Sequence, residues 1–193
     1  FEVHFSKLST RGTYEKGQLT IPSDTACYPA KIMHGHIEEL IDGGLKVIFY
    51  PSLTYNVDEK KSANHYNCPV VAYYAELLNS NMEDLKKVDF IYPYLDVTSP
   101  MALAKTFSKT LKTLDSSITD REIKQAAKNG FKAYNDYKTA LYAEGKKAVE
   151  YARAHKKRIM VLAGRPYHID PEINHGIPDM INSLGFAVLT EDS

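Results

Sequence analysis

The sequence is poor in cysteine, balanced in charge and free of long apolar runs, and each of these shortages removes a class of function. Two cysteines cannot frame a disulfide scaffold, which points to a reducing, cytoplasmic setting. Lys plus Arg number 24, as do Asp plus Glu, so no broad basic surface is on offer to nucleic acid or to a membrane. No stretch approaches the length of a membrane span, and no basic-then-apolar signal segment opens the chain. The phosphate cradles G-x-x-x-x-G-K-S/T and G-x-G-x-x-G are missing, and so is the compact zinc signature C-x-x-C. There is no internal repeat and no low-complexity tract. The first residue is Phe1, not Met, and the last residues, GFAVLTEDS, stop just past an expected strand, so the chain reads as part of a longer protein whose neighbouring segment completes its site. With 193 residues there is still enough chain for one large or two small domains with a real core.

What the sequence does have is concentrated first in residues 21–41, IPSDTACYPAKIMHGHIEELI. Pro29 follows Cys27 closely, and proline suits a first helical turn because its missing N–H would have no partner there. Ser23, Asp24 and Thr25 are all capable cap or turn residues. Met33, Ile37, Leu40 and Ile41 fall on one helical stripe, and Gly43–Gly44 stops the helix. A cysteine at the mouth of a helix sits beside free backbone N–H groups and the positive end of the dipole, which favours its thiolate. That suits a metal ligand or a nucleophile, and a small buried apolar residue is the plain alternative.

Residues 1–5 (FEVHF) alternate like a strand, residues 9–16 suit a short helix closed by Gly17, and residues 45–50 (LKVIFY) form a β-rich run ended by Pro51. The order strand, loop, helix, Gly-Gly, strand has the rhythm of a βαβ unit with a parallel sheet. Residues 52–67 are polar and aperiodic and read as a long loop, a kind that is often functional. Residues 70–74 (VVAYY) are expected to form a buried strand, residues 75–78 a short helical piece, residues 88–92 another strand and residues 101–114 an amphipathic helix. Residues 115–157 form one long helical region, opened by the capping box Thr119–Glu122, with Gly130 and Gly145 as points where it breaks or bends. A fresh β-run at 158–163 leads into the loop GRPYHIDPEINHG, a helix over about 177–184 and a strand at 186–189. The fold class is therefore α/β: a parallel-sheet, Rossmann-like βαβ lobe (1–114), a helical linker (115–157) and the start of a second α/β lobe (158–193).

In open parallel sheets, ligands bind beyond the carboxyl ends of the strands, often between lobes. The loops ending at Cys27, following Tyr50 and following Ala163 qualify, whereas Cys68 is awkward because it precedes an expected strand. His34 and His36 stand two apart on a helix and point to different faces, so they do not share a metal ion, and each reads as a packing or hydrogen-bonding residue. An iron–sulfur cluster needs thiolates from converging loops at no fixed spacing, and Cys27 and Cys68 are the candidates. Two ligands do not complete such a site, so further ones come from a partner, from elsewhere in the protein or from a non-cysteine group. Nucleophilic catalysis would need a base in reach of a thiolate, with His65 or His34 available. Arg165 either holds a carboxylate or phosphate or makes a surface ion pair in a tight turn.

Read together and in order, the strings SDTACYPAK with HGHI, FYPS, YNCPVV and AGRPYHIDPEINHGIP resemble the large proteins related to 2-hydroxyacyl-CoA dehydratase and its activator. The match covers residues 22–74 strongly, 163–193 clearly and the helical middle loosely. In that family an ATPase activator module accompanies a dehydratase-like region, and the present chain resembles the latter. The resemblance implies α/β units that hold a [4Fe–4S]-type iron–sulfur cluster, with Cys27 and Cys68 at the family's cysteine positions. It also implies a low-potential electron delivered by ATP hydrolysis in an activator module of the same or a partner chain, and an acyl-CoA or other small substrate. True dehydratases use such an electron to make a ketyl radical of the thioester and release an unactivated hydroxyl. Their cluster-bearing subunits generally offer three cysteines where this chain has two. Under this reading Tyr55, Asn56 and Arg165 are candidate polar contacts to substrate. The alternative from a different class is a non-catalytic binding or scaffold domain of the same fold, with both cysteines structurally buried.

Overall fold

The structure, a computed structural model, describes residues 1–60 and 63–193, and two positions of the expected 52–67 loop lie outside the described residues. Helix and strand are mixed, and the strands form two short parallel sheets, so the class is α/β in the broad sense. The chain divides into two compact units, Phe1–Lys7 with Gly12–Phe131, and Leu8–Arg11 with Lys132–Ser193. No helix among the described residues is long and apolar enough to cross a membrane.

In chain order the early elements are α1 (Arg11–Gly17), α2 (Tyr28–Asp42), β1 (Val47–Phe49), α3 (Pro69–Asn81), β2 (Asp89–Ile91) and α4 (Pro100–Leu114). Strands β1 and β2 are parallel, with Ile48 opposite Phe90. The pairing runs on past β1, as Tyr50 N–H donates to Ile91 O (2.8 Å) and Ser52 N–H to Pro93 O (2.9 Å). The core beneath this sheet is built from Ala30 and Ile37 of α2, Ile48 of β1, Tyr74 and Leu78 of α3, and Met82 and Leu85 just after it. Helix α2 ends as the glycines require: Gly43 N–H donates to Glu39 O (3.0 Å) and Gly44 takes the left-handed φ of 80°. On its other side α2 meets α1 at bare backbone, because a Cβ on Gly35 would stand 1.7 Å from Thr13 O and one on Gly17 2.2 Å from Gly35 N.

Residues 70–74 are not a strand. They belong to α3, whose first helical residue is Pro69 and whose buried positions Ala72, Tyr74, Ala75 and Leu78 follow a helical stripe. The β-branched and aromatic residues of VVAYY favour a strand only weakly, and the cap, the proline and the packing of one face override them. Residues 1–5 are not a strand either. Among the described residues no strand pairs with them, and alternation without a ladder partner leaves the backbone in no regular structure.

Helix α4 is capped by Ser99, whose Oγ accepts Ala102 N–H (3.1 Å), and Phe107 stacks on Phe49 of β1 with ring centroids 5.1 Å apart. Helix α5 (Asp120–Ala154) opens with the expected capping box: Glu122 N–H donates to Thr119 Oγ1 and Thr119 N–H to Glu122 Oε2. It is unbroken at Gly130 and Gly145, because thirty-five residues of ladder absorb the roughly 1 kcal/mol that each glycine costs. Gly145 has a packing reason as well, since a Cβ there would meet the backbone of Ser193 at 2.2 Å. The first turns of α5 pack on α4 through Ile123, Ala127 and Ala104.

The second unit contains the rest of α5, then β3 (Ile159–Leu162), a 3₁₀ turn at Pro166–Ile169, α6 (Ile177–Ser183) and β4 (Ala187–Thr190). Strands β3 and β4 are parallel, with Ile159 opposite Ala187 and Leu162 opposite Thr190. The Arg158 guanidinium lies over the Phe186 ring at 4.1 Å, and Lys138 pairs with Asp192 at 2.6 Å.

Candidate functional site

Both cysteines hold the same local position. Cys27 is the N-cap of α2 (φ −64°, ψ 154°) and Cys68 the N-cap of α3 (φ −65°, ψ 157°), each with proline in the first turn. Neither cap side chain makes a hydrogen bond to its helix, so the Sγ atoms are not spent on capping. Each cap's backbone carbonyl starts its helix, Cys27 O accepting from Lys31 N–H (3.1 Å) and Cys68 O from Ala72 N–H (3.0 Å). The N–H groups ahead of those bonds have no intrahelical acceptor. The awkwardness of Cys68 disappears with the strand once expected after it: both cysteines are helix mouths. Cys27 is exposed and Cys68 half-buried.

Topology puts the two mouths toward one end of the β1–β2 sheet, beyond the carboxyl end of β1. A turn of a few residues joins α2 to β1, so the start of α2 lies near the far, carboxyl end of β1. The long loop after Tyr50 doubles back on itself, with Asn56 N–H donating to His65 O (2.9 Å) and Asn67 N–H to Thr54 O (2.9 Å). The Asn67 amide adds a bond to Leu53 O (3.0 Å), and Leu53 N–H reaches Val71 O in the first turn of α3 (3.3 Å). The loop thereby returns Cys68 to the end of the strand it left.

Two tyrosines stand at these cysteines. Burial first, and then Tyr74 and the Cys68 thiol, push the Tyr50 phenol up to about 12. Tyr74 is raised in the same direction, by burial and then by Cys27. Its phenol meets His34 Nε2 at 2.9 Å, and His34 Nδ1 meets Thr20 Oγ1 at 2.8 Å. The Thr20 hydroxyl has a single hydrogen, which goes to Gly17 O (2.9 Å). Nδ1–H is therefore the donor to Thr20, and Nε2 accepts the Tyr74 proton. The oxygen lone pairs of Tyr74 are left for other partners. His34 is fully buried, and desolvation lowers its imidazole to about 4. It is the hydrogen-bonding core residue that its position on α2 suggested.

Ser52 is 1 % exposed, and its Oγ has no hydrogen-bond partner among the described residues. A buried hydroxyl in that condition costs roughly 1–3 kcal/mol. Tyr55 and Asn56, expected to touch substrate, are both exposed on the outgoing arm of the loop. The Tyr55 hydroxyl donates to Tyr66, which is also the first reason its own pKa is raised, and the Asn56 carboxamide oxygen accepts Val57 N–H (2.8 Å). An aromatic surface continues beside them, where Tyr73 and Tyr94 have ring centroids 6.1 Å apart and Tyr94 donates to Glu76.

Arg165 belongs to the second unit, in the loop that leaves the carboxyl end of β3. Its backbone N–H donates to His168 Nδ1 (2.9 Å), and a Cβ at Gly164 would meet that nitrogen at 2.2 Å. The glycine makes room for the histidine, and the histidine fixes the turn that carries Arg165. The exposed guanidinium makes no ion pair among the described residues, so the surface ion pair weighed as its alternative does not form there.

A family model described as CoA enzyme activase uncharacterised domain (DUF2229) matches residues 1–193. The chain belongs to this family. No curated protein and no solved structure matches it. Membership in the CoA enzyme activase family agrees with the motif strings and gives the helix-mouth cysteines a context. As a cluster site the donor set fits in half. Two thiols stand at like positions, each at the opening of a helix whose first-turn N–H groups have no intrahelical acceptor. No group of three or more His, Cys, Asp or Glu able to hold a metal ion exists among the described residues.

Of the residues just described, Tyr50, Tyr74 and Ser52 were not singled out from the sequence. The F-Y-P-S string carried Tyr50 and Ser52 in plain view, but nothing in it says which side chains face a helix mouth.

Proposed function

We propose that this domain of the CoA enzyme activase family serves an ATP-driven, low-potential redox system related to 2-hydroxyacyl-CoA dehydratase and its activator. Cys27 and Cys68 would each supply a thiolate to an iron–sulfur cluster of the [4Fe–4S] type, in an α/β arrangement of the Rossmann-like kind. The observation that carries the reading is the matched pair of N-cap cysteines toward the carboxyl end of β1, neither of them used to cap. When bound, the cluster supplies one-electron chemistry at low potential. An ATPase activator module, in the same or a partner chain, is the proposed electron source, and remaining cluster ligands come from a partner or a non-protein group.

The protein's own residues have distinct tasks in this reading. The positive ends of the two helix dipoles favour negative charge at the thiolates. Half-buried Tyr50 and buried Tyr74 limit water at the cysteines, and His34 Nε2 fixes the Tyr74 phenol by accepting its hydrogen bond. Tyr55 and Asn56 are proposed as polar contacts to an acyl-CoA or other small substrate. Arg165, on the second unit, is proposed as a contact to a carboxylate or phosphate. Neither nucleic acid nor a membrane is a proposed partner.

The test is anaerobic reconstitution of the full chain with iron and sulfide, comparing the natural protein with a Cys27→Ser, Cys68→Ser double variant. Iron, sulfide and the visible absorption of the cluster are expected in the first and lost in the second. If colour, iron content and activity all survive both substitutions, the redox reading is lost and a binding domain with structural cysteines takes its place.

A further inference from the structure

Residues 50–58, 64–81 and 88–99 contain no lysine or arginine, in a chain that has 24, and they hold seven of its 14 tyrosines. They come from separate places in the sequence: the run out of β1, the arm leading into α3 with α3 itself, and the run through β2. Two backbone bridges join them, Ser52 lying beside Tyr94 in a parallel bridge and Tyr55 facing Tyr66 in an antiparallel one. Side chains extend the contact, with ring centroids 4.3 Å apart for Tyr55 and Tyr66 and 6.1 Å apart for Tyr73 and Tyr94. The Tyr66 hydrogen bond, burial and then Tyr66 and Tyr73 raise the Tyr55 phenol, so the two pairs adjoin. All four rings are exposed, by 43 to 60 %.

Packing does not account for these rings. The core beneath β1 and β2 is filled by Ile37, Ile48, Tyr74, Leu78 and their neighbours, and none of the four tyrosines belongs to it. Tyrosine offers a large contact area at low entropic cost, and protein interfaces are enriched in it and depleted in lysine. The open charge among the rings is negative. Glu76, exposed on α3, accepts the Tyr94 phenol through one carboxylate oxygen, and its other oxygen is bonded to nothing among the described residues. Asp58, farther along the loop, is already met by Lys60 (2.5 Å) and His65 (3.3 Å). The face of a tyrosine ring is also the negative part of its quadrupole. Ring faces and a carboxylate together attract a cation, and arginine is the one that stacks on a ring while its fork meets a carboxylate.

We propose that this tyrosine surface docks a protein partner that presents an arginine over the Tyr73–Tyr94 pair and against Glu76. The inference does not depend on the cluster reading. It assigns a macromolecular contact beside the place where that reading has only Tyr55 and Asn56, as contacts to a small substrate.

The experiment titrates the full chain with a blocked hexa-arginine peptide, using hexa-lysine as the control of equal charge, and follows amide shifts by NMR. Shifts are expected at Tyr66, Tyr73, Glu76 and Tyr94, with arginine bound at least about threefold more tightly than lysine. Glu76→Gln and a Tyr73→Ala, Tyr94→Ala double variant should each weaken arginine binding by about tenfold, the loss expected at the centre of a contact. All three side chains are exposed, so the melting temperature should not move, and Glu76→Gln carries the test by itself if the double variant melts early. No binding, equal affinity for the two peptides, shifts elsewhere on the chain, or variants that bind like the natural protein would each overturn the proposal. So would sedimentation of the chain alone that shows self-association abolished by the tyrosine variant, which would make the occupant a second copy.

Discussion

His34 has no surface exposure, and both of its ring nitrogens are engaged, one as donor to Thr20 and one as acceptor from Tyr74. A proton added at Nε2 would bury a charge, and that loss of solvation lowers this imidazole from 6.5 to about 4. The unfolded chain takes up its proton on passing below pH 6.5, and the folded one does not until near 4. Stability contributed by neutral His34 is thus complete above pH 6.5 and is lost as the pH falls toward 4. Across that window the loss is on the order of 3 kcal/mol, at about 1.4 kcal/mol for each pH unit that separates the folded from the unfolded titration. Ring resonances from NMR should show the Nδ1–H tautomer and no protonation of His34 until near pH 4, with urea midpoints falling over the same range. Titration near 6.5 would mean that the ring is solvated and the Tyr74 bond absent.

At the scale of elements, the crossing of α1 and α2 makes a sharper prediction than any propensity. Gly→Ala inside a helix ordinarily stabilises by about 1 kcal/mol. At Gly130 of α5 an added Cβ meets nothing within 4 Å, so Gly130→Ala should follow that rule. At Gly35 the same methyl would stand 1.7 Å from Thr13 O, a backbone atom that cannot turn aside, so α1 must move. Overpacking of that kind costs roughly 1–3 kcal/mol or more and reverses the sign. Calorimetry on the two variants should give opposite shifts in melting temperature, and a stabilised Gly35→Ala would mean that the helices do not cross so closely. The glycines also show where sequence reading reached its limit. Gly43–Gly44 end a helix by local chemistry and were legible, whereas Gly35 and Gly145 are set by what another part of the chain brings against them. The strand expected at Val70–Tyr74 failed for a related reason. Its residues carried a β signal, but Cys68-Pro69 is the same cap-and-proline opening already read at Cys27, and the burial of Ala72, Ala75 and Leu78 decided for helix.

Across the whole molecule, motif chemistry was legible further than pairing was. Cys27 stood out because its surroundings are local, and the ordered strings around it led to the family that the whole chain matches. Ser52 did not stand out, because lacking a partner is a property of the fold and not of a serine. A difference between the two units is likewise invisible in composition. In the first, α2, β1 and α3 close over a core in which Ala30, Ile37, Ile48 and Leu78 are each at most 4 % exposed. In the second, Ile159, Met160 and Val161 of β3 are all exposed, although a parallel pair is ordinarily covered on both faces. Opening a local hydrogen-bonded segment costs less where little apolar area is exposed by doing so. Amides of α2 and α3 should therefore exchange with solvent more slowly than those of β3 and β4, by more than about tenfold, the ratio given by about 1.4 kcal/mol of opening free energy. Hydrogen exchange followed by mass spectrometry reads this directly on peptides from each segment. Equal protection would mean that β3 and β4 are covered in solution by apolar surface from elsewhere, and that the exposed face of β3 is an interface.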